Sequence, residues 1–285
     1  MANETTSTTL SALYSQIQQA AIFTMQERGF MRPLVTTFNL VGQPGKEAKV
    51  GIYPTLATSA LQSGEGTDAT NNAITAVTKT INCDEIAALV TLTDTARDSA
   101  DDNTAASIGR ILGETMAKKI DEDIAALFSG FSGTVGGSGS ELTADLIFKA
   151  VAAMRANSVT GPYVGVFHPN QMYNLKKQLA NAGSANVPSL SDVGNAALAS
   201  GFIGRIAGVD LYESSVVTGD STGAYAGAIM TSDAIGFALK KDVTLETQRD
   251  ASLRATEIVA SMTYGVAELQ DVHGIQVLTD AVTSN

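Results

Sequence analysis

The chain has 285 residues and a formal net charge of −11, because 29 Asp and Glu residues outnumber 18 Lys and Arg residues. Its hydrophobic content of 44% excludes a disordered chain, and its length allows a sizeable buried core. The pI is near 4.6 and the basic runs are no longer than pairs, which excludes electrostatic binding to a phosphate backbone.

The charged fraction is 16%, whereas about 25% is usual in a soluble domain. Such a surface fits a protein whose faces meet other chains, and it equally fits a secreted or halotolerant monomer. We expect no membrane span, because no run of about 18 apolar residues occurs, and residues 1–9 lack the basic region of a secretory signal. The single cysteine, Cys83, permits no internal disulfide and favours a reducing cytoplasm.

The amino-terminal part is predicted to be an arm. Apolar residues from Leu10 to Ala21 follow helical spacing, and residues 22–45 have apolar groups without a sustained period. This second stretch either packs on its own domain or lies across a neighbouring subunit. Residues 46–82 read as a long hairpin with a polar, glycine-containing tip. Because an isolated two-stranded hairpin is marginal in water, it needs a partner surface.

The rest of the chain mixes helices and strands. A half-buried strand is predicted at 86–93, and a helix of about six turns at 104–129, with an apolar stripe and pairs of opposite charge four residues apart. Residues 131–140 read as a flexible turn or linker. Further helices are predicted around 142–154 and from Pro169 to about Ala180, and the strands are expected at Tyr163–Phe167, Val209–Val216, Ala224–Met230 and over much of 234–280. Since no regular βαβ repeat occurs, the predicted class is α+β.

The histidines do not indicate catalysis. His168 precedes a helix and is interpreted as a helix cap, and His273 is expected to be exposed in a turn. No G-x-S-x-G, H-E-x-x-H or EF-hand pattern occurs, although a metal site that uses both histidines is conceivable.

Other candidate groups are also explained without chemistry. Cys83 is followed by Asp84 and Glu85, whose charges would raise the thiol pKa. The acidic residues Asp98, Asp101 and Asp102 are interpreted as the start of a helix. The segment GEGTDA at 64–69 matches G-x-G-x-x-A, and this match is interpreted as chance. No catalytic residue, cofactor or metal site is therefore predicted, and the chain is not expected to be an enzyme.

The order of arm, hairpin, long helix and mixed body resembles the major capsid protein of tailed bacteriophages. Local sequence is also similar to that family in three segments: YVGVFHPNQMYNLKKQL (163–179), FIGRIAGVDLYESSVV (202–217) and AYAGAIMTSDAIGFALKKDVTLETQRD (224–250). The resemblance implies a Hong Kong 97-like fold. Its parts would be an N-arm at 1–45, an E-loop at 46–82, a P domain at 83–135 and 240–272 with spine helix 104–129, and an A domain at 136–239 and 273–285.

The resemblance also implies a function. The chain would self-assemble, as hexamers and pentamers, into an icosahedral shell in the virion that encloses double-stranded DNA without sequence-specific binding. Assembly would take place in the host cytoplasm, with a separate scaffolding protein, a portal and decoration proteins as partners and without a membrane. Covalent cross-linking in part of the family uses an E-loop lysine, but nothing distinguishes Lys46, Lys49 or Lys79, so no such bond is predicted.

Two alternatives stay open at this point. One is an encapsulin-like compartment, which shares the fold and encloses cargo enzymes. The other is a soluble, monomeric hydrolase or metal-binding protein that uses His168 and His273.

Overall fold

The computed structural model describes residues 19–24, 29–53, 74–95, 104–182, 204–219 and 223–280. Three long helices lie within these ranges: α1 (Thr104–Ala126), α2 (Ala144–Ala156) and α3 (Pro169–Ala182). The strands are β1 (Thr36–Asn39), β2 (Glu47–Ile52), β3 (Val77–Asn82), β4 (Asp84–Thr93), β5 (Thr134–Gly137), β6 (Tyr163–Phe167), β7 (Arg205–Ile206), β8 (Val209–Glu213), β9 (Ala224–Met230), β10 (Ile235–Asp250), β11 (Ala255–Glu268) and β12 (Gly274–Asp280). Within the described residues, no helix is long and apolar enough to cross a membrane.

A four-stranded sheet has the order β1-β10-β11-β4. β10 and β11 form a long antiparallel pair, and β11 also pairs antiparallel with β4. Along β4, half-buried and exposed residues alternate from Ile86 to Thr93, as a period of two requires. The predicted strand at 86–93 is therefore present.

α1 packs its apolar stripe on this sheet. The large buried residues of this stripe recur every four positions and are Ile108, Leu112, Met116, Ile120 and Ile124. The helix continues as a 3₁₀ turn at Leu127–Gly130, so the helical residues span the predicted 104–129. Of the predicted charge pairs, Lys118–Glu122 forms at 3.5 Å, and Lys119–Asp123 adds another at 2.6 Å.

A six-stranded sheet has the order β5-β12-β9-β6-β8-β7. α2 and α3 contribute buried residues to one cluster with its strands, including Met154, Leu175 and Phe167. Val166 and Met230, on β6 and β9, instead join the cluster that contains the α1 stripe. The two sheets thus share a core, and the mixture of helices with parallel and antiparallel pairs confirms the α+β class.

Two local predictions are corrected. Residues 131–140 are not only a linker, because Thr134–Gly137 pair parallel with β12 as an edge strand. The strand predicted at 209–216 ends at Glu213, and Arg205–Ile206 precede it as a hairpin partner. The predicted domain boundaries at 135/136 and 239/240 fall inside β5 and β10, and the domain division stays a prediction.

The described part of the amino-terminal arm packs on its own chain. β1 pairs parallel with β10, and Met31 is fully buried in the α1 core. The first of the two alternatives for residues 22–45 therefore holds over 29–39. Of the predicted helix over 10–21, only 19–21 belong to the described residues, and they are helical.

Candidate functional site

The hairpin of β2 and β3 is the element that the two larger sheets and their helices leave largely uncovered. Its register runs from Glu47 opposite Asn82 to Ile52 opposite Val77. The predicted hairpin is therefore present at its base. The predicted tip, which contains GEGTDA, lies in 54–73, outside the described residues.

The base of this hairpin is seated on the four-stranded sheet. Ala48, Ile81 and Cys83 are buried with Leu269 and Ala238 in a separate small cluster. Their burial removes apolar surface from water, which stabilises the attachment by about 25 cal/mol for each Å² buried. The base therefore has a stable attachment that an isolated hairpin lacks.

A glycine permits this seat. A Cβ on Gly265 of β11 would overlap the main chain of Asn82, with the Asn82 carbonyl carbon only 2.7 Å away. The end of the hairpin therefore crosses β11 at a distance that no other residue type allows.

Beyond the base, the hairpin exposes apolar side chains. Tyr53, Ile74 and Val77 are 72%, 54% and 54% exposed. Of the six residues in β3, only Ile81 is buried. Large apolar groups grouped on one projecting element favour contact with another chain rather than with the body that carries them.

The three lysines near the hairpin are charged surface groups. Lys79 lies 3.9 Å from Glu268 of β11, and Lys49 lies 3.8 Å from Glu47. The Lys49–Glu47 pair is largely exposed and the Lys79–Glu268 pair is partly exposed, so both contribute little to stability. They distinguish no lysine as a cross-linking group.

Cys83 is buried and has no sign of activation. Burial raises the pKa of its thiol, Asp84 raises it further, and Lys240 opposes both. The direction agrees with the prediction from sequence, although burial, rather than the neighbouring acids, is the main cause. The thiol is therefore not a nucleophile near neutral pH.

His168 caps α3, as predicted. Its Nδ1 accepts a hydrogen bond of 3.2 Å from the Asn170 N–H, and its ring stacks on Tyr225 with the centroids 4.0 Å apart. Burial lowers the pKa of the imidazole, which favours the neutral form that this cap requires.

His273 is half-buried rather than exposed as expected, because its Nδ1 lies 3.0 Å from the Thr231 Oγ1. Tyr225 and Thr231, the partners of the two histidines, are six residues apart along β9 and its end. This spacing corresponds to about 20 Å. The two histidines therefore do not share a metal ion, and the described residues contain no group of three His, Cys, Asp or Glu that could hold one. Asp98, Asp101 and Asp102 lie outside the described residues.

A buried carboxylate holds the arm to α1. Asp121 is only 4% exposed and accepts hydrogen bonds from the main-chain N–H groups of Met31, at 3.2 Å, and Phe30. Burial outweighs these bonds and raises its pKa to about 6. Asp121 is not among the residues predicted from the sequence, although its position on the apolar side of the helix, one residue after Ile120, was an available signal.

The segment around Met31 connects both sheets. The Phe30 ring stacks on Tyr212 of β8, with the centroids 6.4 Å apart, and the Arg32 guanidinium lies 5.2 Å from the centroid of the Phe237 ring on β10. Asp121 therefore fixes a strap between the two sheets.

The chain is similar to capsid structures over most of its length. It has a TM-score of 0.67 and 19% identity to the capsid of cyanophage P-SCSP1u, with 88% of each chain covered. The corresponding values for a structure from Mycobacterium phage Che8 are 0.65 and 18%, with 82% of this chain and 85% of that chain covered. A virus-like particle from Pyrococcus furiosus matches with 0.61 and 10%, covering 92% of this chain and 98% of that chain.

At these identities the similarity establishes a shared fold, and it confirms the predicted Hong Kong 97-like architecture. No curated protein sequence is significantly similar to the chain. The family model described as "Phage capsid protein" matches residues 76–277, which is well over half of the sequence. The chain belongs to this phage capsid protein family.

Proposed function

We propose that the chain is the major capsid protein of a tailed phage and that its hairpin joins neighbouring subunits of the shell. The family supports the structural role and assembly from many copies in a virion capsid. The observation that supports the role of the hairpin is the anchored base at Ile81 combined with the exposed side chains of Tyr53, Ile74 and Val77. A fixed base lets contacts made far from the body transmit force to it.

The free energy of assembly is distributed over many weak contacts. A closed shell multiplies each contact by the number of copies, so no single interface has to be strong. This proposal includes hexamers and pentamers as assembly units, and double-stranded DNA as the enclosed material. It also includes a separate scaffolding protein, a portal and decoration proteins as partners, with assembly in the host cytoplasm. The acidic balance suits a wall to which DNA does not adhere.

The domain division is also part of the proposal. The arm, hairpin, P domain and A domain would span 1–45, 46–82, 83–135 with 240–272, and 136–239 with 273–285. The four-stranded sheet with α1 corresponds to the P domain, and the six-stranded sheet with α2 and α3 corresponds to the A domain. β5 and β10 each cross a boundary of this division, which supports close attachment of the two parts.

An encapsulin-like compartment is the second candidate function. A virus-like particle from Pyrococcus furiosus shares the fold, so the fold alone does not distinguish a phage capsid from another kind of shell. Isolated particles distinguish the two, because a phage capsid contains DNA and a compartment contains protein cargo.

The test of the hairpin is deletion of its predicted tip, from Ser59 to Asn71. We expect the variant to fold, with an unchanged circular dichroism spectrum, because the buried base at Ile81 stays intact. Negative-stain microscopy should show closed shells for the wild type and none for the variant.

A matched control is Val272→Ser, which changes an exposed apolar residue, 50% exposed, away from the hairpin. It should assemble as the wild type does. Normal shells from the tip deletion would contradict the proposed role of the hairpin.

A further inference from the structure

The outward face of α2 presents an apolar and cationic surface. Phe148, Ala152 and Arg155 are spaced four and three residues apart, so they lie on one side of the helix. All three are exposed, and Phe148 is 56% exposed. The opposite side of α2 is buried through Ile147, Val151 and Met154, so the exposed residues are not required for the core. We name Phe148, Ala152 and Arg155 the α2 face.

A groove runs beside the α2 face. A concavity of about 570 Å³ is bordered by Phe148, Arg155 and Ala207, and a second of about 470 Å³ adjoins it at Arg155 and is bordered by Thr160 and Gly208. Each concavity has room for a few side chains of another chain. Arg155 lies where the two meet.

The groove is formed in advance by rigid elements. At the end of α2, the Ser158 N–H donates to the Arg155 carbonyl and the Val159 N–H donates to the Met154 carbonyl, at 2.9 and 3.0 Å, which closes the helix.

The far wall is the two-residue turn Ala207–Gly208 between β7 and β8, with φ of +55° and +84°. Arg205 and Asp210 brace this hairpin with two hydrogen bonds of 2.6 and 2.8 Å. A surface held in this way loses little conformational entropy when it binds.

Arg155 has donors to offer a partner. Its guanidinium lies 5.9 Å from the centroid of the Tyr163 ring, and no carboxylate forms an ion pair with it among the described residues. Nearby charged groups are already matched, because Lys149 pairs with Asp145 at 2.7 Å. An arginine beside apolar surface matches a carboxylate that arrives with apolar neighbours.

The charge balance of the chain favours a second copy of this chain as the occupant. Each copy brings 29 Asp and Glu against 18 Lys and Arg, so a neighbouring copy presents an excess of carboxylates. A phosphate backbone suits the groove poorly, because Arg155 is the one charged residue among its described lining residues and nucleic acid is bound by clustered cations.

We propose that the α2 face is a contact between subunits, in which Arg155 pairs with a carboxylate of a neighbouring copy and Phe148 packs against its apolar surface. This inference rests on the proposed function, since it names a second surface by which copies of a shell protein meet.

The test measures the protein concentration at which assembly begins, by sedimentation velocity and negative-stain microscopy. Arg155→Glu reverses the charge of the pair, and Phe148→Ser removes the apolar contact. Because each contact recurs throughout an assembly, we expect either change to raise this concentration at least about tenfold. Arg155→Lys keeps the charge and should lie between Arg155→Glu and the wild type.

Matched controls lie on α3. Tyr173→Ser changes an aromatic residue of nearly equal exposure, 55%, and Lys177→Glu reverses an exposed charge. Both should assemble as the wild type does, and all variants should keep the wild-type thermal unfolding midpoint.

The outcomes separate the two proposals. A wild-type chain that never forms shells or capsomers overturns the proposed function. A wild type that assembles, with Arg155→Glu and Phe148→Ser assembling at the same concentration, overturns the subunit contact alone. Equal losses in the α3 controls also overturn it. Binding of a DNA duplex that Arg155→Glu abolishes would assign the groove to nucleic acid and would overturn it as well.

Discussion

Replacing Asp121 by Asn should make the stability of the chain depend on pH in a different way. The carboxyl is buried without a cation partner among the described residues, and burial raises its pKa from the ordinary 3.8 to about 6. At 1.36 kcal/mol per pKa unit, this difference corresponds to about 3 kcal/mol.

The sign follows from proton linkage. The folded chain binds this proton more tightly than the unfolded chain does, so the contribution of Asp121 to stability is fully present below pH 3.8. This contribution is lost as the pH rises through about 6. Above pH 7 the free energy of unfolding is therefore up to about 3 kcal/mol lower than it is well below pH 3.8. The amide introduced by Asp121→Asn would keep an oxygen that accepts from Met31 without carrying the charge, so this loss should disappear in the variant.

The assay is urea unfolding of the unassembled full-length chain between pH 4 and pH 8, followed by circular dichroism. The stability of Asp121→Asn relative to the wild type should rise by about 2.5 kcal/mol from pH 4 to pH 8, because about 0.5 kcal/mol of the total is already lost at pH 4. The change with pH is the diagnostic quantity, because any fixed cost of burying the amide group is present at every pH.

Asp123→Asn is the matched control, because its carboxylate on the same helix is bonded to Lys119 and Tyr264, at 2.6 Å each. It should destabilise the chain at pH 7, since the ion pair with Lys119 is lost and the amide keeps an acceptor oxygen for only one of the two donors. A relative stability of Asp121→Asn that stays constant from pH 4 to pH 8 would refute the reasoning.

Two further predictions concern the base of the hairpin. Gly265→Ala places a methyl group against the main chain of Asn82 and should lower the free energy of unfolding by about 1–3 kcal/mol. Proteolysis between β2 and β3 should then be faster than in the wild type. The control is Gly137→Ala, where a Cβ meets nothing within 4 Å, and it should leave proteolysis unchanged. Ile81→Ala should lower the free energy of unfolding by about 2–5 kcal/mol, because Ile81 is fully buried. Val77→Ala on the same strand should change this free energy by less than about 0.5 kcal/mol, because Val77 is exposed, and should weaken assembly instead. Equal unfolding energies for Ile81→Ala and Val77→Ala, measured in urea, would contradict the division of β3 into an anchored end and an exposed end.

Elements with a sustained period could be predicted from the sequence. The α1 stripe and the alternation along β4 each repeat often enough for periodicity to identify the element. Pro169 likewise marked the first turn of α3.

Elements that depend on a distant partner could not be predicted. β5 has the sequence TVGG, and it becomes a strand only because β12, far later in the chain, offers an unpaired edge. The same reason explains β1, whose partner is β10. Local sequence carries no record of such pairings.

The candidate surfaces divide in the same way. The hairpin could be predicted because strand-like residues flank a polar tip in which Gly64 and Gly66 supply turn conformations. The α2 face could not be predicted from the sequence. Phe148 and Arg155 lie on the same helix as the buried residues, and packing of α2 on the sheet decides which side of the helix stays exposed. Asp121 gained its role from Met31, which approaches from 90 positions earlier in the chain.

The core that joins the two sheets has a consequence for how the protein unfolds. Residues of α1, β6, β9, β10 and β11 belong to one apolar cluster, so neither sheet can separate without exposing the side chains that the other covers. The described body should therefore melt in a single calorimetric transition, with equal van't Hoff and calorimetric enthalpies. Cutting the chain at 135/136 or 239/240 should not release an independently stable half, because each cut breaks a strand that is already paired. In an assembled shell, shape changes should then be absorbed by the projecting hairpin and by movements between subunits, while each body moves as one unit.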